Sequence, residues 1–175
     1  MPTPTVLSDL SKTASSNFPA GTDSPAIVDD VLRAHASFIA QLYGTPTFRA
    51  TLSADQVIAN GATNKIAFNV ETFDIGSCYD NSVNYRFTPN VAGYYLVQTK
   101  NPVTSSGGLL YSIYKNGSSY SSNTTSPQTG NIATLSDIVY LNGSTDYVEI
   151  FGSASGASVT VLSGATFYAT LVRLA

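Results

Sequence analysis

"FTPNVAGYYLVQ", Phe87 to Gln98, reads as the end of one strand, a turn and the start of the next. Pro89 removes a backbone donor and stops the first strand, while Gly93 permits a tight bend or a close approach before the second begins. Side chains on a strand alternate between faces, so the adjacent Tyr94 and Tyr95 must point in opposite directions. The stretch is structural rather than catalytic.

The segments around it follow the same pattern. "TFRATL", "KIAFNV", "NYRFTP", "GYYLVQT", "LLYSIYKNG", "TLSDIVYL", "DYVEIFG", "SVTVL" and "TFYATLVRL" are short and rich in Val, Ile, Thr, Tyr and Phe. Between them "NGATN", "PVTSSGG", "KNGSS", "SSNTTSPQTGN", "LNGST" and "SASGAS" read as turns or loops. This succession predicts a mainly β fold, a jelly-roll β-sandwich of about eight to ten antiparallel strands. No repeat of constant period is present, which argues against a β-helix or propeller. Core candidates are Phe68, Tyr94 or Tyr95, Leu96, Ile113, Val139, Val148, Ile150, Phe167 and Leu171.

Composition changes near residue 45. Residues 1–23 are rich in Pro, Ser and Thr with scattered Val6, Leu7, Leu10 and Phe18, an extended arm without a core of its own. Residues 24–44 carry helix signals: Ser24 as N-cap, Pro25 at the first position, Asp29 and Asp30 near the positive end, and Gly44 after the last turn. They predict a helix over 25–43. Val28, Val31, His35, Phe38 and Leu42 follow a spacing of three and four, which suits self-association, docking on another protein, or packing on the chain's own body. His35, the sole histidine, reads as a packed or interfacial residue. The head then occupies 45–175.

The bulk properties exclude several classes. Charged residues make up 11% of the chain and the net charge is −3, so no basic face exists to neutralise nucleic-acid phosphates. No stretch approaches the roughly 18 apolar residues of a membrane span, and no signal peptide is visible at the start. Cys78, the single cysteine, forms no intrachain disulfide and reads as a core residue. The acids Asp55, Glu71, Asp74, Asp80, Asp137, Asp146 and Glu149 show no catalytic spacing, and one His with one Cys leaves no ordinary zinc site or Ser-His-Asp triad. "DIGSCYD" brings Asp74 and Asp80 into one segment, well short of the about six to eight oxygens that calcium takes. The chain reads as a non-enzyme with no cofactor and no metal.

Residues 47–175 resemble the globular head of complement component one-q, a trimeric jelly roll related to the tumour necrosis factor fold. The resemblance rests on Phe48 and Ala50, Ile66 and Phe68, Tyr79, Phe87-Thr88, Val91-Ala92-Gly93-Tyr94-Tyr95, Lys115-Asn116-Gly117, and Thr166-Phe167 leading into Leu171, in family order. It implies a homotrimer in which one ring of the Tyr94/Tyr95 pair and Phe167 serve the core or the subunit interface.

Residues 7–42 resemble the leading segment of bacteriophage virion proteins, tail-fibre and related appendage proteins above all. The matching stretches are Leu7-Ser8-Asp9-Leu10, Asn17 to Asp23, and Asp29-Asp30-Val31-Leu32-Arg33-Ala34, with Val31 standing where an aromatic is commoner. Together the resemblances imply a virion protein made in the host bacterial cytoplasm, a trimeric short fibre or spike. Its attachment residues would be Leu7, Leu10, Phe18, Val28, Val31, Phe38 and Leu42, bound to tail, portal-proximal or capsid proteins. The head would meet a host surface glycan or protein through loop residues Tyr120, Asn123, Thr124 and Thr125 or Asn101 to Ser106. A capsid decoration or cement protein, or a stand-alone carbohydrate-binding lectin, are the alternatives.

Overall fold

The computed structural model describes residues 25–43, 45–105, 107–125 and 131–174. The chain divides into two units, Met1–Gly44 and Thr45–Ala175. In the first, helix α1 spans Pro25–Tyr43. Its first turn holds no acidic residue, so Asp29 and Asp30 sit past the reach of the helix-end charge they were expected to complement. Val31 is buried, whereas Val28, Leu32 and Ile39 are exposed.

The second unit is a sandwich of two antiparallel sheets. Its strands, in chain order, are β1 (Thr47–Thr51), β2 (Gln56–Ile58), β3 (Thr63–Lys65), β4 (Val70–Ile75), β5 (Tyr79–Asp80), β6 (Arg86–Phe87), β7 (Ala92–Ser105), β8 (Gly108–Lys115), β9 (Ser118–Thr125), β10 (Asn131–Asn142), β11 (Val148–Ser155), β12 (Val159–Val161) and β13 (Thr166–Leu174). The described residues thus hold thirteen strands, more than the sequence suggested, because five of them are only two or three residues long. In the seven-stranded sheet β7 is central: β10 flanks one side, and β13 and β12 follow each other along the other. β13 leads on to β1 and β4, and β12 to β2. The six-stranded sheet runs β5-β6-β11-β8-β9, with β3 also on β11.

An aromatic cluster joins the two layers. Phe48 stacks on Tyr79 with ring centres 4.3 Å apart and on Phe87 at 4.8 Å, and meets Phe167 edge-on at 4.8 Å. Phe68, Tyr95, Ile113, Val139, Val148, Ile150 and Phe167 are all buried. Leu96 is not among them: alternation that sends Tyr95 and Val97 inward sends Tyr94 and Leu96 to the outer face. Leu171 is partly buried against the core.

Gly93 lies inside β7 and serves close approach rather than a bend. An added Cβ would stand 2.5 Å from the Arg173 carbonyl oxygen, where β13 bulges between Leu171 and Arg173. Asn116 and Gly117, with φ of 52° and 79°, make the tight turn between β8 and β9 that Lys-Asn-Gly announced.

Three segments depart from the sequence reading. "KIAFNV" is not one strand, for Lys65 pairs in the six-stranded sheet and Val70 in the seven-stranded one. Residues 66–69 cross between them, plugging Ile66 and Phe68 into the core. "PVTS" extends β7 instead of forming a loop. The Pro102 carbonyl accepts from the Leu162 N–H at 2.9 Å, so its missing donor faces the gap where β12 has ended and β13 has not begun. "SSYSSNTT" is strand β9 rather than a loop, although Ser and Asn fill five of its eight positions.

Candidate functional site

Strand β9 pairs along its length with β8, and side chains of both strands reach a neighbour in the other sheet. β10 pairs with β7 on one side only, which leaves the carbonyls of its even-numbered residues at a free edge. Asn123 Nδ2 donates to the Thr134 carbonyl at 3.1 Å, Tyr120 Oη to that of Ile138 at 3.3 Å, and Lys115 Nζ to that of Tyr140 at 2.7 Å. The Ile138 N–H is taken by Asp137 Oδ1 at 2.8 Å. Tyr120 is the extra residue of a bulge where the β8–β9 register shifts.

These contacts correct the loop reading of the receptor candidates. Tyr120, Asn123, Thr124 and Thr125 lie on β9, and the polar ends of Tyr120 and Asn123 are engaged with β10. The Thr125 side chain lies outside what the structure describes. Asn101 is buried inside β7, its Nδ2 donating to Thr99 Oγ1 at 2.8 Å. Of the attachment candidates, Val28 and Val31 are on α1, while Leu7, Leu10, Phe18 and the side chains of Phe38 and Leu42 fall outside the described residues.

The adjacent tyrosines do face opposite ways. Tyr95 is wholly buried, donates to the Val91 carbonyl at 2.7 Å and meets Phe87 edge-on. Tyr94 is 44% exposed on the outer face of the seven-stranded sheet, 5.5 Å from the ring of Tyr140. Cross-strand register builds that face in rows. One row runs Ile75, Thr47, Thr170, Leu96, Ile138; the next runs Phe73, Arg49, Tyr168, Gln98, Ser136. Tyr168 donates to Gln98 Oε1 within the row, and Arg49 Nη1 to Thr72 Oγ1 beside it.

Phe73, Ile75, Ile132, Ile138 and Tyr140 are each more than 40% exposed here. Among the described residues, the outward positions of β1, β7 and β10 carry Arg49 and Lys100 and no carboxylate. Exposed apolar side chains on a weakly charged face are the kind of surface at which protein–protein contacts form. Neither the aromatic pair nor its opposed faces needed the structure to be found, but the rows did, since they depend on long-range register.

The segment "DIGSCYD" runs from the end of β4 through a turn at Gly76 and Ser77 into β5, and does not gather a metal site. Asp80 Oδ1 accepts from the Ser82 and Val83 N–H groups at 3.0 and 2.9 Å and Oδ2 from Asn84, which holds its carboxyl well below the usual carboxylate range, the Val83 bond contributing most. Asp74 Oδ2 accepts from the Tyr79 N–H at 2.8 Å. Among the described residues, no three His, Cys, Asp or Glu side chains are grouped to hold an ion. Cys78 is buried, and desolvation pushes its thiol up, away from reactivity. No helix among the described residues is long and apolar enough to cross a membrane.

The fold is a jelly-roll β-sandwich, and it is similar to those of complement and tumour necrosis factor proteins. The globular domain of the zebrafish complement 1qA protein superposes with a TM-score of 0.56 at 17% identity, over 75% of this chain and 99% of that one. The PRD1 vertex protein P5 gives 0.54 at 16% identity, covering 73% and 97%, and murine APRIL 0.55 at 10%, covering 73% and 99%. No protein-family model and no curated protein matches the chain.

Proposed function

We propose that the chain is a non-enzymatic structural protein of a bacteriophage particle, a homotrimeric short fibre or spike. Residues 1–44 attach it to other virion proteins, and the head projects toward the host surface. The observation that carries the trimer is the outer face of the seven-stranded sheet, where Tyr94, Tyr140, Ile138, Phe73 and Ile75 lie exposed in one surface. Likeness of the head to a viral vertex protein supports the virion setting. The same likeness favours one second reading, a decoration protein seated on the capsid.

Light scattering on the full chain tests the assembly. The expected mass is three times the 18.4 kDa of one chain. Ile138→Asp, at a half-exposed position outside the core, should return it to one chain mass with unchanged circular dichroism. A monomeric wild-type chain would overturn the trimer. In particles that carry the protein, few copies near the tail mark a fibre and many copies over the shell mark decoration.

A further inference from the structure

The outer face of the six-stranded sheet, on the far side of the sandwich, holds an aromatic stack of its own. Tyr114 on β8 and Phe151 on β11 stand 4.2 Å apart, centre to centre, tilted by 32°. Both rings are half-buried. Lys65 Nζ covers the other side of Phe151 at 5.7 Å from its centre. Since β8 lies between β11 and β9, the second face of Tyr114 looks across toward β9. There the register sets Ser119 opposite Tyr114, Ser122 opposite Ser112 and Thr124 opposite Leu110. An aromatic wall therefore borders the exposed Ser119, Ser122 and Thr124, with Leu110 exposed beside them and Ser112 buried.

Charge on this face is already balanced. The Lys65 ammonium lies 2.8 Å from Glu149 Oε2 and also donates to the Asn84 carbonyl at 2.9 Å. An anionic ligand would find that cation engaged, and a cationic one would find the carboxylate, 5% exposed, covered. What suits an aromatic wall with a hydroxyl floor is a molecule with an apolar face of C–H bonds and hydroxyls around its rim. That is the chemistry of a neutral sugar ring.

We propose that the Tyr114 face, with Ser119 and Ser122, is a binding site for a neutral glycan. The inference rests on the reading above in one respect, that the opposite sheet is the one covered by other copies. It moves the recognition surface from the β9 candidates Tyr120 and Asn123, whose polar atoms serve the β10 edge, to the sheet face behind them.

The test uses the full chain and saturation-transfer NMR with four neutral probes, cellohexaose, maltohexaose, chitohexaose and dextran, and oligogalacturonate as the anionic comparison. Transfer to the ring C–H protons of at least one neutral probe is expected. Tyr114→Ala should weaken that binding by about tenfold or more, and Tyr114→Phe should leave it within about threefold. Ser122→Leu, which fills the floor beside the ring, should also abolish it. The proposal is overturned if no neutral probe binds, if oligogalacturonate binds more tightly, or if Tyr114→Ala and Ser122→Leu bind as wild type. Light scattering on the same samples separates the two readings: a wild-type chain that is trimeric but binds no neutral probe sinks only the glycan site.

Discussion

The Lys115 ammonium donates to the Tyr140 carbonyl oxygen at 2.7 Å, which ties the last residue of β8 in one sheet to the free edge of β10 in the other. The same ammonium lies 3.0 Å from Asp146 Oδ2 and 5.6 Å from the centre of the Tyr140 ring. Replacing it by Met keeps the apolar stem and removes three polar contacts. Because Lys115 is partly exposed, the expected loss is modest, about 1 kcal/mol in urea unfolding at pH 7. An unchanged midpoint would mean that water replaces the ammonium at no cost.

Gly93→Ala isolates the close approach of β13. The new methyl group meets the Arg173 carbonyl oxygen and the Leu171 side chain, and the backbone at a bulge has little room to retreat. Destabilisation of about 1–3 kcal/mol is expected, seen as a lower denaturation midpoint with an unchanged m value.

Phe167 contacts Phe48, Phe68 and Tyr79 and is fully buried. Phe167→Ala should cost about 3–5 kcal/mol, and Phe167→Asp, which buries an unpaired charge, should prevent folding. Soluble, correctly assembled Phe167→Asp protein would contradict the placement of this ring.

Acid should unfold the head through two carboxylates. Asp80 is held below its usual range by the Val83 and Ser82 amides, and Asp146 by the Asn116 side chain and Lys115. A group whose folded pKa is depressed stabilises the fold above its unfolded value, about 4, and loses that contribution as pH falls toward the folded value. The denaturation midpoint should therefore decline below about pH 4. Asp80→Ala, measured from pH 6 to pH 2, should start lower and fall less steeply.

Alkali acts through tyrosines. Burial raises the phenols of Tyr79, Tyr95 and Tyr111, so each stabilises the fold below its unfolded pKa of about 10 and loses that contribution as pH rises through its folded value. In an ultraviolet titration these three should ionise only as the protein unfolds. A smooth titration of all tyrosines near pH 10 would place them in water.

The fold was readable because its main signals are local. Alternation in "GYYLVQT" and "TFYATLVRL" and the Lys-Asn-Gly turn each state their conformation within a few residues. β9 was not readable, because Ser and Asn, which fill five of its eight positions, have weak strand preference, and it is its pairing with β8 that makes it a strand. Pro102 looked like a breaker since the gap that accommodates it is made by Leu162, far along the chain. For the outer faces the sequence supplied Tyr94, but only register could bring Ile138, Leu96 and Ile75 into one row, or set Tyr114 beside Phe151.

The side chains that occupy β10 also limit how copies of the head can join. An open-ended filament built by strand addition needs two complementary edges, one at each flank of a sheet. In the seven-stranded sheet one flank is occupied by Lys115, Tyr120 and Asn123, and only β4 and the short β2 remain open on the other. The three side chains thus close the β10 edge to strand addition, and copies of the head that meet at this flank must do so through side chains rather than by extending the sheet.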